Sequence, residues 1–243
     1  MKWTVIGYWG AYPEKGEATS AYLLEQDGFR CLIDCGSGAL SRLQRFVDVK
    51  GLDAVVLSHY HQDHIADIGV LQYSWLVQNS LHRTNDKLTI YGHGEDETGF
   101  SALTHQFTEG IAYQYDDTLE IGPFQFTFQR TTHPVPCFAI RISNGKQEIV
   151  YTADSSFDQK LVRFSSDADL LISECSFYHG QDAAKAGHMT SAQCGRLAAS
   201  ANVKQLLLTH LPHFGDRQDL VTEARQQFEG SIQLAYEGWT WQG

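Results

Sequence analysis

Residues 58–67 read "SHYHQDHIAD": three histidines and two aspartates in ten positions, directly after the apolar run "DAVVL" of 53–57. A short uninterrupted apolar run of this kind is read as a buried strand. The helical spacing of Ile65, Ile68, Leu71 and Leu76 then predicts a helix over 63–79, so His59 and His61 fall where a strand turns into a helix. Imidazole nitrogens and carboxylate oxygens are natural ligands for zinc and similar divalent ions, at about 2.0–2.2 Å. Residues two apart on an extended strand end point the same way, so His59 and His61 can grip one ion together. Asp63 and His64, where the chain turns, face a slightly different point. Two adjacent metals are the natural inference.

Two metals need more ligands than one loop supplies, and other predicted strands end in the same residue types. "FTFQRTTH" ends at His133 before Pro134, "EIVYTAD" ends at Asp154, "QLLLTH" ends at His210, and "CLID" ends at Asp34 with Gly36 behind it. Any one of these alone would be read as a hydrogen-bonded core or loop residue. Their joint placement at strand ends points to a shared site.

Composition limits what such a site can serve. The chain has 243 residues, 42% of them hydrophobic and 19% charged, which suits one large α/β domain over 1–243. A formal net charge of −11 disfavours a broad electrostatic hold on long RNA or DNA, because nonspecific nucleic-acid binding needs clustered Lys and Arg. A small anion held locally by metal ions is compatible with that charge. No apolar run approaches the roughly 18 residues of a membrane span, and "MKWTVIGYWG" lacks the charged start and apolar core of a signal peptide. The expectation is a cytoplasmic protein with no membrane partner. Cys31, Cys35, Cys137, Cys175 and Cys194 are odd in number and form no CxxC pair, so they are expected to be buried free thiols.

Along the chain, strand-like runs ("KWTVIGY", "TSAYLLE", "RCLIDCG") precede a helical stretch, "SRLQRFV", and the buried strand "DAVVLSH". After "LTIYGH" and a helix-like stretch at 100–107 come "IAYQYD", "FQFTFQRT", "CFAIRIS" and "EIVYTAD", with a hairpin signal at Asn144, Gly145 and Lys146. The last third reads as "DLLISEC", a helix over 191–200, "QLLLTHL", a helix over 218–228 and a final strand "IQLAYEG". Each half thus has strands followed by strand–helix alternation. The simplest layered solution is a four-layer αββα sandwich, two mixed β-sheets flanked by helices.

With these residues in this order, the sequence resembles a metallo-β-lactamase superfamily hydrolase, whose HxHxDH motif is His59, His61, Asp63 and His64 here. The resemblance runs from Asp34 to His210. It implies that His59, His61 and His133 bind one metal, that Asp63, His64 and His210 bind the other, and that Asp154 bridges both. It also implies that Asp34 is hydrogen-bonded beside the metal-binding loop and orients a ligand. The implied cofactor is two divalent ions, zinc first, with manganese or iron as alternatives. Two such ions can hold a bridging hydroxide that attacks a phosphoryl or carbonyl centre.

Two further segments, "LLISECSFYHG" and "AGHMTSAQCGRLA", place Glu174 at a strand end and His188 before a helix whose N-cap is Thr190 or Ser191. They resemble the glutamate strand end and the Gly-His-Ser-Thr segment of the RNase Z-like phosphodiesterase branch, with Met189 in place of its Ser. That resemblance implies that His188 binds a phosphate oxygen and assists the leaving group, with Glu174 tuning it. Asp63, His188 and Glu174 are the predicted catalytic residues. The long Gly- and Pro-containing arm of the tRNA-processing members has no counterpart, since only strand, hairpin and strand separate His133 from Asp154. The expected substrate is therefore a small phosphodiester such as a cyclic nucleotide or cyclic phosphate, with a lactonase or other acyl hydrolase as the alternative. A homodimer is implied by resemblance alone. Asp67 is read either as part of the site floor or as a local hydrogen-bonding group, and His213 as a loop histidine near the mouth of the site or exposed.

Overall fold

The alternation of apolar positions read from the sequence becomes fourteen strands and seven α-helices in a computed structural model that describes residues 1–243. The chain divides into two units, 1–114 with 236–242 and 115–235 with 243. Each carries one mixed seven-stranded sheet and its own helices, as the sequence leads one to expect.

In the first unit β1 (Lys2–Gly7), β2 (Ala21–Gln26) and β3 (Phe29–Ile33) form an antiparallel meander. The strand Thr240–Gln242 pairs antiparallel with β1 at the outer edge. From β3 the pairing turns parallel through β4 (Ala54–Val56), β5 (Leu88–His93) and β6 (Thr108–Tyr113). The connections carry α1 (Ala39–Leu43), α2 (Gln62–Ile65), α3 (Ile68–His82) and α4 (Glu97–Ser101). Leu32, Val55 and Ile90 from the strands, with Leu57 just after β4, pack with Leu43, Leu71 and Trp75 from the helices in one buried cluster. Burying such side chains contributes about 1.5–3 kcal/mol each, which fixes the inward face of α1 and α3.

The second unit repeats the same pairing order. β7 (Thr118–Ile121), β8 (Phe124–Arg130), β9 (Phe138–Ser143) and β10 (Glu148–Tyr151) are antiparallel neighbours. β11 (Leu170–Glu174), β12 (Gln205–Thr209) and β13 (Ser231–Leu234) continue the sheet in parallel. Three helices, α5 (Gln159–Phe164), α6 (Ser191–Ser200) and α7 (Arg217–Arg225), fill the crossovers. The apolar runs of β4, β11 and β12 are buried almost throughout, as parallel strands covered on both faces are.

Three differences from the sequence reading have local causes. The single helix expected over 63–79 is broken into α2 and α3 at Ala66 and Asp67, because the Asp67 N–H donates to the Cys35 carbonyl (3.1 Å) instead of continuing the helical ladder. Asp67 Oδ2 accepts from the Leu40 N–H (2.9 Å), so this residue ties α3 to the start of α1. The helix-like stretch at 100–107 is the end of α4 followed by a turn into β6. β7, α5 and the strand 240–242 were not anticipated; each has only three to six residues, too few for periodicity to stand out. All five cysteines are free and buried, and burial pushes the Cys31, Cys35 and Cys175 thiols up. No helix is long and apolar enough to cross a membrane.

Candidate functional site

Every chemistry-bearing residue of the first unit lies at the carboxyl end of β3 or β4, the edge where parallel strands release their loops and where open α/β sheets place ligands. Asp34 follows β3 in the left-handed region (φ 55°) and is fully buried. Its carboxylate accepts from the Ser58 N–H (2.7 Å) and the Ser58 hydroxyl (2.8 Å), and pairs with His64 Nδ1 at 2.7 Å. Ser58 Oγ in turn lies 3.0 Å from His59 Nδ1. The Nδ1 atoms of His59 and His64 are thus committed to the protein, which assigns Nε2 as the atom each ring offers to a metal. The hydrogen bonds expected of Asp34 beside this loop are present.

The loop geometry follows from two constraints. His61 has extended backbone at the N-cap of α2, so the chain turns within one residue of it. Gly36 packs against the α2 backbone; a Cβ there would collide with the Asp63 carbonyl and the Thr19 hydroxyl. The His59 ring sits 4.8 Å from that of His61 and 4.1 Å from that of His64 between centroids. Asp63 Oδ2 lies 3.8 Å from His64 Nε2 and accepts from the Ala11 N–H (2.8 Å). Four donors of the right chemistry for divalent metals are therefore gathered in one turn of chain. Tyr60, between two of them, donates to the His93 carbonyl (2.7 Å); burial and Asp96 push its phenol up.

The second unit presents its donors at the carboxyl ends of β8, β10, β11 and β12. Asp154 is buried after β10, with Oδ2 3.9 Å from His133 Nε2 and Oδ1 3.5 Å from His210 Nε2. One carboxylate thus offers an oxygen to each of two imidazoles, the arrangement a bridging ligand requires. His133 Nδ1 is bound to the Gly187 carbonyl at 3.0 Å. Gly187 has φ +80°, and a Cβ there would lie 2.8 Å from His133 Nδ1 and strike the Pro134 ring, so only glycine lets this carbonyl approach the ring.

Glu174 closes β11 and is fully buried. Oε1 accepts from the Ser155 N–H (3.2 Å) and the Met189 N–H (3.1 Å) and pairs with His188 Nδ1 at 2.9 Å. Oε2 accepts from the Ser176 N–H (3.2 Å) and hydroxyl (2.9 Å). Glu174, His188 and His210 bring ligand-type atoms within 4.8 Å of one another, but the Glu174 oxygens are already saturated by these contacts. The trio is a support for two histidines rather than another metal site. The His188 ring stacks 5.4 Å from His210 and lies 5.3 Å from His133. The N-cap after it is Thr190, in a capping box with Gln193. His213 is half-buried in the loop after His210.

Each predicted site residue is accounted for within its own unit: His59, His61, Asp63 and His64 with Asp34 in the first, and His133, Asp154, Glu174, His188 and His210 in the second. The sequence reading missed Ser58 and Ser176, the hydroxyls between a buried carboxylate and a histidine. The available signal was their position, one residue before His59 and two after Glu174 at strand ends.

Mixed sheets that carry His and Asp donors at the ends of their strands define the β-lactamase class of fold, and the chain belongs to that family. Residues 29–211 match the family described as "Beta-lactamase superfamily domain". The chain is 51% identical to the protein named "Probable metallo-hydrolase YhfI" of Bacillus subtilis (strain 168), over 100% of both chains. The crystal structure of the metallo-beta-lactamase fold protein YhfI from Bacillus subtilis matches with a TM-score of 0.98 at 50% identity, over 100% of this chain and 99% of that one. A more distant relative is the Ribonuclease Z of Haloferax volcanii, 26% identical over 98% of this chain and 93% of that protein. The resemblance read from HxHxDH and the fold expected from it both hold.

Proposed function

We propose that the chain, as one hydrolase domain over 1–243, is a cytoplasmic metallo-hydrolase that cleaves a small phosphodiester such as a cyclic nucleotide or cyclic phosphate. His59, His61 and His133 would hold one divalent metal and Asp63, His64 and His210 a second, with Asp154 shared; zinc fits the imidazole-rich set best, and manganese or iron also accept it. Two such metals supply a bound water of lowered pKa and offset the charge that develops on phosphorus.

The observation that carries the phosphodiester reading is the pair His188 and Glu174. The buried carboxylate anchors Nδ1 at 2.9 Å, so Nε2 is the atom left to work on a substrate. There His188 hydrogen-bonds a non-bridging phosphate oxygen and passes a proton to the leaving oxygen. An acyl hydrolase has no evident need for this second, carboxylate-held histidine. The similarity to a Ribonuclease Z supports phosphodiester chemistry, while the net charge of −11 favours a small substrate over a long RNA.

The test is hydrolysis of bis(p-nitrophenyl) phosphate by zinc- or manganese-loaded protein, with lactones assayed alongside. The wild type is expected to turn over the phosphodiester, and His188→Ala to keep its metals while losing about 10²–10⁴ in kcat. Turnover of lactones with no action on the phosphodiester would replace this reading with acyl hydrolysis.

A further inference from the structure

In the second unit one buried carboxylate reaches two histidines by different routes. Glu174 contacts His188 Nδ1 directly, at 2.9 Å, and contacts His210 through the Ser176 hydroxyl. Ser176 Oγ lies 2.9 Å from Glu174 Oε2, 2.8 Å from His210 Nδ1 and 3.3 Å from the His210 carbonyl oxygen. A serine hydroxyl has one proton to give, and the Ser176 hydroxyl donates at its 2.9 Å contact with Glu174 Oε2. The proton therefore goes to Glu174, and at the 2.8 Å contact His210 Nδ1 is the donor. This fixes His210 in the Nδ1–H tautomer, with its lone pair on Nε2, the atom that lies 3.5 Å from Asp154 Oδ1.

His210 is in need of such a hold. Its backbone is left-handed (φ 52°), a region that non-glycine residues seldom occupy without support from their surroundings. Ser176 Oγ holds its ring at Nδ1. The first unit contains the same arrangement independently: Asp34 binds His64 Nδ1 directly and reaches His59 Nδ1 through Ser58 Oγ, at 2.8 and 3.0 Å. A carboxylate–serine–histidine chain behind a presented Nε2 thus occurs twice, once in each unit.

We propose that Ser176 is a positioning residue for metal binding: it sets the tautomer and ring orientation of His210 so that Nε2 is offered to a divalent ion. This rests on the reading of His210 as a ligand. It assigns Ser176 no contact with substrate, so its effect is on metal affinity before it is on rate.

The test uses the full chain and zinc alone. Zinc affinity is measured by competition with a chromophoric chelator for wild type, Ser176→Ala, Ser176→Thr and His210→Ala. Imidazole ¹⁵N shifts of His210 are recorded on metal-free protein at a pH where the ring is neutral. Ser176→Ala is expected to weaken one of the two zinc sites by about 10- to 100-fold, with Ser176→Thr, which keeps the hydroxyl, restoring it to within about threefold. The wild-type ¹⁵N shifts are expected to report Nδ1–H, and those of Ser176→Ala a mixture of tautomers. If His210→Ala loses a zinc and Ser176→Ala does not, the role of Ser176 falls while the ligand assignment stands. If His210→Ala keeps both zincs, the ligand assignment falls and takes the proposal with it. An Nε2–H ring in metal-free wild type overturns the proposal without recourse to any variant.

Discussion

Glu174 accepts five hydrogen bonds while fully buried, and at the scale of single residues this makes it the group least able to change. A glutamine has the same shape but must turn an NH₂ toward at least two of those donors in either orientation. Glu174→Gln is therefore expected to lower stability by about 1–3 kcal/mol, the cost of leaving buried donors unsatisfied. Urea unfolding of metal-free protein measures this; a loss below about 0.5 kcal/mol would mean that the pocket does not depend on the charge. The role of this residue was half legible in the sequence. Its strand end and its distance from His188 were visible, but the serine that extends its reach to His210, 34 positions beyond that serine, was not.

At the scale of elements, site loops are held by the caps and ends of short helices. Asp158 caps α5: Oδ1 accepts from the Lys160 N–H (2.8 Å), and Oδ2 from the hydroxyl of Thr132 (2.9 Å), the residue before His133. The Lys160 backbone bond, with the Thr132 hydroxyl, holds its carboxyl below the usual range against a smaller opposing effect of burial. A carboxyl with a depressed folded pKa stabilises above its unfolded value of about 3.9 and loses that contribution as the pH falls through the folded value. Asp158→Ala is expected to cost about 1 kcal/mol at pH 7. The difference from wild type should shrink once the pH drops below about 3.9, as followed by chemical denaturation across pH. A gap that stays constant to low pH would show that the charge has no part in the cap. The break between α2 and α3 belongs to the same scale: Asp67 obeys a bond to Cys35 rather than the local helical preference, a tertiary override that periodicity cannot register.

At the scale of the whole molecule, the chain carries a net charge of −11 together with seven buried aspartate, glutamate or histidine residues. Divalent cations bound by such groups in the folded state stabilise it by mass action, about 2.7 kcal/mol when free metal exceeds Kd by 100-fold. For a chain of this size that corresponds to about 5–10 °C in Tm. Treatment with EDTA is expected to lower Tm by this order and added zinc to restore it in a calorimetric scan. An unchanged Tm would argue that no metal is held by the native protein.

The sequence by itself determined the class of fold and the candidate ligands. Apolar runs ending in His or Asp mark strand ends, and HxHxDH places four donors within six residues, so local spacing alone carries the information. Only the tertiary structure decided how those side chains are held. Asp34 meets His64 across 30 positions, Gly187 meets His133 across 54, and Glu174 meets His188 across 14. Hydrogen bonds between segments so far apart depend on which strands become neighbours, and strand pairing is set by burial of the sheet as a whole rather than by any one stretch of sequence.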